Sequence, residues 1–237
     1  MKSYTIALEG STYRGSVALL RDAQVVTERT LGGKAGGGEA GKRESGKAEP
    51  GRGDALMPAV AECLEETGIK SEEIARIVCG SGPGSFTSLR VAGSVAKGLA
   101  VGYGVDLFAV SSLLLTVTGA ALDVAPGEYL SVLDAMRGEF YGARFTLRPD
   151  RTAVESAAMQ LFTTDELVGV AERETETRII GPGQALDFHP RAGGVAPMLK
   201  SIVAAGPVDL ASWEPDYGRL AEAQVRWEAE HGRALPR

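Results

Sequence analysis

Two stretches, IALEGSTYRGSVALL at residues 6–20 and SVLDAMRGEFYGARF at residues 131–145, share the pattern that decides the fold. Each is typical of a β-strand, an acidic residue, a turn and a second strand, at equal spacing. The alignment places Glu9 opposite Asp134. We interpret the repeat as an internal duplication and predict two related lobes. Chance similarity is the alternative that the pattern alone leaves open.

The segments around these hairpins predict an α/β chain with mixed sheets flanked by helices. Apolar runs predict further strands, and helical periodicity predicts the helices. The predicted strands are 4–8, 15–20, 24–30, 75–79, 107–110 and 178–180, and the predicted helices are 56–67, 85–102, 112–122, 165–172 and 197–205. We therefore assign residues 1–110 to a first lobe and residues 111–237 to a second, reduced lobe with a C-terminal tail.

Residues 32–53 differ in composition from the rest of the chain, being almost entirely Gly, Lys, Arg, Glu, Ala and Ser. The spacing G-x-x-x-x-G-K occurs there twice, but Arg43 and Ala48 stand where a P-loop needs Ser or Thr for magnesium. Such a composition buries too little apolar surface to offset the entropy of ordering it. We predict a flexible insertion and no phosphate site.

The bulk properties limit the possible functions. A hydrophobic content of 44% suits a soluble core, and the net charge of -6 opposes autonomous binding to nucleic acid. Cys63 and Cys79 lack metal-ligand spacing, and no apolar stretch has the length of a signal peptide or a membrane span. We expect a cytoplasmic protein that contacts RNA only through a partner. We expect it to have no metal and no other resident cofactor, and any nucleotide to bind only at an interface shared with that partner.

The predicted helix at residues 85–102 has an unusually wide apolar arc. Arg90, Ser94 and Lys97 form a narrow polar strip, while Gly93, Ala96 and Ala100 make a flank of small residues. An arc of this width predicts burial against two neighbours. One is the helix's own sheet, and the other is either a part of the same chain or a second protein. The preceding turn at residues 81–84 is either a phosphate-binding nest or an ordinary strand-to-helix turn.

The run GPGSFTSLR at residues 82–90, continued as VAGSVAKGLA, closely resembles the signature of the TsaB (YeaZ) family. Three further patches resemble that family in the same order along the chain. They are TIALEGSTYRGSVALL at the start, LDAMRGEFYGARF at 133–145 and WEPDYGRLAEA at 213–223. Together the four patches span nearly the whole chain except the insertion.

The resemblance implies an actin-like, Hsp70-like ATPase fold with two RNase H-like lobes. It implies a non-catalytic subunit of the bacterial machinery that makes threonylcarbamoyladenosine next to the anticodon of tRNA. The implied partners are a TsaD-like catalytic paralogue, a TsaE-like ATPase and, in isolation, a second copy of the chain. Such proteins associate through the two helices after the third strand. We therefore predict interface residues in the second of these helices: Leu89, Arg90, Gly93, Ala96, Lys97 and Ala100.

The chain departs from the family pattern at Glu9-Gly10, where Asp-Thr is usual, and at Ser88, where Gly is usual. In actin-like ATPases a carboxylate after the first strand helps to position magnesium-bound phosphate, so Glu9, Ser11 and Asp134 are candidates for a vestigial nucleotide site. The alternative is that Glu9 is a strand-end carboxylate bonded to nearby turn amides.

The inventory of side chains predicts no catalytic residue in this chain. Its two histidines, His189 and His231, are far apart and lack the i, i+4 spacing with which TsaD binds metal. An actin-like small-molecule kinase that uses Glu9 and Asp134 is the alternative function, and a binding module unrelated to tRNA is a third.

Overall fold

The computed structural model describes residues 3–32, 55–218 and 231–232. The predicted insertion at residues 32–53 therefore lies, apart from Gly32, outside the described residues. Within these ranges, none of the helices combines the length and apolar character that a membrane crossing requires.

The first sheet has five strands in the order β3-β2-β1-β4-β5. They are β1 (Tyr4–Glu9), β2 (Ser16–Arg21), β3 (Gln24–Thr30), β4 (Ile74–Gly80) and β5 (Asp106–Val110). β1 runs antiparallel to β2 and parallel to β4, so the sheet is mixed, as predicted. The hairpin register pairs Glu9 with Ser16 and places the Glu9 side chain at the carboxyl end of the central strand.

The second sheet has four strands in the order β8-β7-β6-β9. They are β6 (Gly127–Asp134), β7 (Glu139–Leu147), β8 (Ala153–Thr163) and β9 (Thr177–Ile180). β6 pairs antiparallel with β7 and parallel with β9, which repeats the connectivity of β1 with β2 and β4. The repeat confirms the predicted pair of related lobes.

In the described part of the chain, five α-helices flank the two sheets: α1 (Leu56–Thr67), α2 (Phe86–Tyr103), α3 (Ser112–Gly119), α4 (Thr164–Arg173) and α5 (Val195–Ala204). α1 and α2 pack on one face of the first sheet, and α5 packs on the other. α3 lies between the sheets, with Leu115 in the first lobe's core and Leu113 and Val117 in the core of the second. α4 covers the outer face of the second sheet.

The chain returns to the first lobe after β9, so the lobes do not divide cleanly along the sequence. Ala192 N donates to Ser16 Oγ at 2.8 Å, and Gly193 N donates to Glu28 Oε1 at 2.8 Å. Arg191 also pairs with Glu28. These bonds fix the start of α5 against β2 and β3. β5 ends at Val110, and α5 packs in the first lobe's core.

Candidate functional site

Glu9 is fully buried where the two lobes meet. Its Oε1 accepts a hydrogen bond from the Ser11 backbone N–H at 2.5 Å. Its Oε2 accepts one from the Ser112 hydroxyl, in the first turn of α3, at 2.9 Å. Both carboxyl oxygens therefore bond to groups of the chain itself.

Burial also sets the protonation of this group. Loss of hydration raises the pKa of Glu9 above its ordinary value of 4.5, while the hydrogen bonds from Ser11 and Ser112 partly offset that rise. A carboxyl group in such a site is easier to protonate than one in water.

The end of β4 is shaped around this carboxyl group. A Cβ atom at Gly80 would lie 1.9 Å from Glu9 Oε2, so only glycine leaves the space. Two residues later, Gly82 N donates to Ser112 Oγ at 3.1 Å, and Ser112 N donates to the Gly82 carbonyl at 2.8 Å. Sequence reasoning missed Gly80 and Ser112, because nothing local to either residue indicates that Glu9 lies beside it.

The three residues predicted for a vestigial nucleotide site fall in two places. Glu9 and Ser11 lie together, whereas Asp134 is exposed at the end of β6 and accepts a hydrogen bond from Met136 N at 2.7 Å. The Ser11 carbonyl accepts from Ser85 N at 2.8 Å, which ties this turn to the start of α2. The arrangement suits a strand-end carboxylate bonded to turn amides, and nucleotide binding stays a prediction. The residues that the structure describes hold no group of three or more potential metal ligands.

The small flank of α2 is covered by the chain itself. Ala96 and Ala100 are fully buried in the first lobe's core, and Leu89, in the first turn of the helix, is also fully buried. A Cβ at Gly93 would lie 3.0 Å from the Pro215 side chain and 3.6 Å from that of Trp213. The second neighbour of the helix is thus the C-terminal tail. These four predicted interface residues have little or no exposed surface.

The tail continues from α2 to the second lobe. Asp216 N donates to the Ser81 carbonyl at 2.7 Å, and the ring of Tyr217 lies 4.6 Å from that of Phe86. The Tyr217 carbonyl accepts from the Tyr141 hydroxyl, in β7, at 3.1 Å. The tail therefore joins the start of α2 to the second sheet. This contact could not be predicted from the sequence, since it joins residues that are distant along the chain.

The other predicted interface residues face outward. Arg90 is exposed and lies over the Phe86 ring, and Lys97 lies at the edge of the helix over the Trp213 ring. Val101, on the same outward face, is 70% exposed. On the adjoining α1, Met57 is 48% exposed. This outward face of α1 and α2 is the part of the helical layer that a second protein can reach.

The two departures from the family pattern lie in one place. A Cβ atom at Gly10 would lie 2.8 Å from the Ala92 Cβ and 3.5 Å from the Ser88 carbonyl oxygen. The first turn after β1 therefore packs tightly on α2. A threonine at position 10 would need α2 to shift away from the turn.

Comparison with known proteins places this geometry in a family. The family model described as TsaD, tRNA N6-adenosine threonylcarbamoyltransferase, matches residues 50–179, over half of the chain. A Bacillus subtilis protein named tRNA threonylcarbamoyladenosine biosynthesis protein TsaB is 27% identical over 94% of this chain and 96% of its own length. The chain belongs to the TsaB (YeaZ) family. An Escherichia coli TsaB is 33% identical over a shorter stretch, 38% of this chain and 39% of its own.

Solved structures share the fold of this TsaB-family chain. YeaZ from Pseudomonas aeruginosa superposes with a TM-score of 0.71 at 22% identity, covering 91% of this chain and 99% of that one. A second structure, described as an uncharacterized protein with similarity to peptidase YeaZ from the same organism, gives 0.72 at 21% identity, covering 92% and 100%. The predicted actin-like fold with two related lobes is confirmed.

We predict that Glu9→Ala lowers the free energy of unfolding by about 2–4 kcal/mol, because it leaves a cavity and two unpaired buried donors. Glu9→Gln retains an acceptor for Ser11 N and nearly the same volume, so it should be the milder change. Chemical denaturation of the three proteins at one pH provides the measurement. An alanine variant as stable as the glutamine variant would contradict the importance of these hydrogen bonds.

A second prediction concerns pH. Because burial raises the folded-state pKa of Glu9, the folded chain keeps a proton there that the unfolded chain releases above about pH 4.5. The stability that Glu9 contributes is therefore greatest below that pH and falls as pH rises through the folded-state pKa. Glu9→Gln cannot ionise, so its stability relative to the wild type should increase from pH 4.5 to neutral pH. A difference independent of pH would show that Glu9 titrates as it does in water.

Proposed function

We propose that this chain is a non-catalytic scaffold subunit in the synthesis of tRNA threonylcarbamoyladenosine. It pairs with a TsaD-like catalytic subunit through the outward face of α1 and α2. The observation that carries the proposal is the exposure of apolar side chains on that face. Val101 is 70% exposed on α2, and Met57 and Phe86 are 48% and 41% exposed at the starts of α1 and α2.

The chemistry of this face suits a helical partner. Ser94 and Gly98 are exposed along the middle of α2, and a Cβ atom at Gly98 would have no neighbouring atom within 4 Å. Small residues in that position let a second helix approach closely while Val101 and Met57 bury apolar surface. In the absence of the catalytic subunit, the same face supports a homodimer.

The overall charge is consistent with a subunit that meets tRNA only as part of a complex. At a net charge of -6, the chain lacks the excess of Lys and Arg that drives independent binding to phosphates. A TsaE-like ATPase completes the assembly, which operates in the cytoplasm. The chain itself carries no resident cofactor in this proposal.

The described side chains also favour a non-catalytic role over a peptidase. His189 Nδ1 lies 3.4 Å from Thr12 Oγ1, and its Nε2 lies 3.4 Å from the Tyr13 hydroxyl. The nearby Asp187 accepts a backbone hydrogen bond from Gly183 at 2.9 Å. A serine-type triad requires the acid to orient the imidazole, and no hydrogen bond joins Asp187 to His189 in the described part of the chain.

We predict that Val101→Glu weakens association with a TsaD-like partner, and any homodimer, by at least about 100-fold. An unpaired charge in a desolvated interface costs about 3–5 kcal/mol. Leu122→Glu is the matched control, since Leu122 is 72% exposed beyond the end of α3 and outside the proposed face. Analytical size-exclusion chromatography and titration calorimetry measure the association. Equal affinities for both variants would place the interface elsewhere.

A charged residue on the inner flank of α2 should affect folding, unlike Val101→Glu on the outward face, which should affect association. Ala96→Glu puts a charge into the core, so we expect loss of the folded chain rather than a folded monomer. Circular dichroism distinguishes the two. A folded Ala96→Glu monomer would contradict the burial of this face.

The non-catalytic part of the proposal predicts that the purified chain hydrolyses ATP no faster than buffer alone. Steady turnover that disappears with Asp134→Ala would favour the kinase alternative. Asp134 is suitable for this test because its side chain is exposed, so the substitution should leave the fold intact.

A further inference from the structure

The two lobes differ in the helices that cover their sheets. β9 corresponds to β4, because each is the parallel neighbour of its lobe's first strand. α4 corresponds to α1, because each lies between the third strand of its lobe and that parallel strand. In the first lobe β4 leads to α2, which packs on the sheet beside α1. After β9 the chain instead returns to the first lobe through α5. Among the described residues, no helix takes the place of α2 over β9.

A groove of about 310 Å³ lies in this place, between α4 and β9. Its floor is apolar and includes Phe140, Leu167 and Ile179, which also belong to the small core beneath α4. Val168 and Ala171 form its edge on α4, and both are exposed, Val168 by 51%. An open apolar groove of this kind is typical of an interaction site.

Unpaired carboxylates border the groove. Asp165 and Glu172 are exposed on the outer side of α4, and Glu176 is exposed between two residues that line the groove. Within the described ranges, none of these three carboxylates forms an ion pair. Glu174, which also lines the groove, is neutralised by Arg144, whose Nη2 donates to Glu174 Oε1 at 2.8 Å.

The neighbouring cations point away from the groove. The Arg173 guanidinium lies along Gly169, on the side of α4 opposite the groove, because a Cβ at Gly169 would be 2.7 Å from Arg173 Nη2. Arg178 lies over the Tyr129 ring, in the core that faces α3, and donates to the Pro126 carbonyl at 2.9 Å. The groove therefore combines an apolar floor with a negative border, which favours a positively charged partner.

We propose that this groove binds a basic amphipathic helix of a partner protein, which takes the place of the missing counterpart of α2. Apolar side chains at positions i and i+4 of that helix enter between α4 and β9, as in other helix-in-groove complexes. Its Lys or Arg side chains meet Asp165, Glu172 and Glu176. The groove belongs to the second lobe, so this contact is separate from the outward face of α1 and α2 and does not depend on the proposed function.

The probe is a fluorescein-labelled helical peptide about five turns long, with Leu at positions i, i+3, i+4 and i+7 and Lys beside them. A matched peptide carries Glu in place of Lys. Binding to the full chain is measured by anisotropy at fixed salt. The wild type should bind the lysine peptide at least about tenfold more tightly than the glutamate peptide, because only the former complements the border of the groove.

Two substitutions on α4 test the position of the site. Val168→Lys should weaken binding of the lysine peptide at least about tenfold, because it removes an apolar contact and adds a like charge. Glu172→Lys should weaken it about threefold, the effect of losing one exposed ion pair. Val154→Lys and Glu155→Lys are the matched controls, since both residues are exposed on β8, at the opposite edge of the sheet from β9. Salt screens charges at that distance, so each control should stay within about 1.5-fold of the wild type.

Circular dichroism checks that each variant is folded. If Val168→Lys unfolds the chain, the comparison of Glu172→Lys with Glu155→Lys decides. Equal losses in the α4 variants and their β8 controls would indicate a general charge effect and overturn the proposal. Equal affinity for the two peptides, or binding of neither, would also overturn it.

Three further outcomes would assign the groove to another occupant and overturn the proposal. One is a homodimer that Val168→Lys dissociates and Val101→Glu does not, which would identify a second copy of the chain. Another is a co-purified small molecule, detected by native mass spectrometry, that is lost in Val168→Lys. The third is a synthetic peptide of residues 219–237 that binds more tightly than the lysine peptide, which would identify the chain's own C-terminal segment.

Discussion

The hydrogen bonds of the Glu9 carboxyl group are the constraint on which the arrangement of the lobes depends. This one side chain joins the end of β1, the following turn and the first residue of α3. Leaving such a group buried without partners would cost several kcal/mol, so the turn and the helix must both stay in contact with it. Gly80 shows how closely the neighbouring strand is adapted, since any side chain there would overlap the carboxyl group.

α3 connects the Glu9 site to the second lobe. The Ser131 hydroxyl, in β6, donates to the Leu113 carbonyl at 2.8 Å, directly after the residue that bonds Glu9. Both central strands are thereby tied to a single helical turn. The helix has apolar neighbours on both sides, which explains why its sequence, SLLLTVTG, contains no charged residue. Polar side chains on either of these sides of the helix would be buried away from solvent.

The sequence predicted those parts of the fold whose signals are local. In each hairpin, apolar and polar residues alternate along the strands and turn residues lie between them, with Glu9 or Asp134 at the end of the first strand. α1 is followed by Gly68, whose φ of +68° is the left-handed conformation that glycine adopts at the end of a helix. β8 escaped prediction because two register shifts against β7 interrupt the alternation on which strand prediction relies. The contact between Gly93 and Pro215 was not predicted for another reason. The width of the apolar arc on α2 predicts that the helix has a second neighbour, but it does not identify that neighbour.

The consequence for α2 is a separation of roles between its two faces. The small residues of the inner face admit the tail, and Ser94, Gly98 and Val101 on the outward face remain for the proposed partner. The tight contact of Gly10 with Ala92 shows that the inner face also fixes the distance between α2 and the first hairpin. A substitution on the inner face therefore alters the position of the whole helix, and with it the outward surface. Only substitutions confined to the outward face report on association alone.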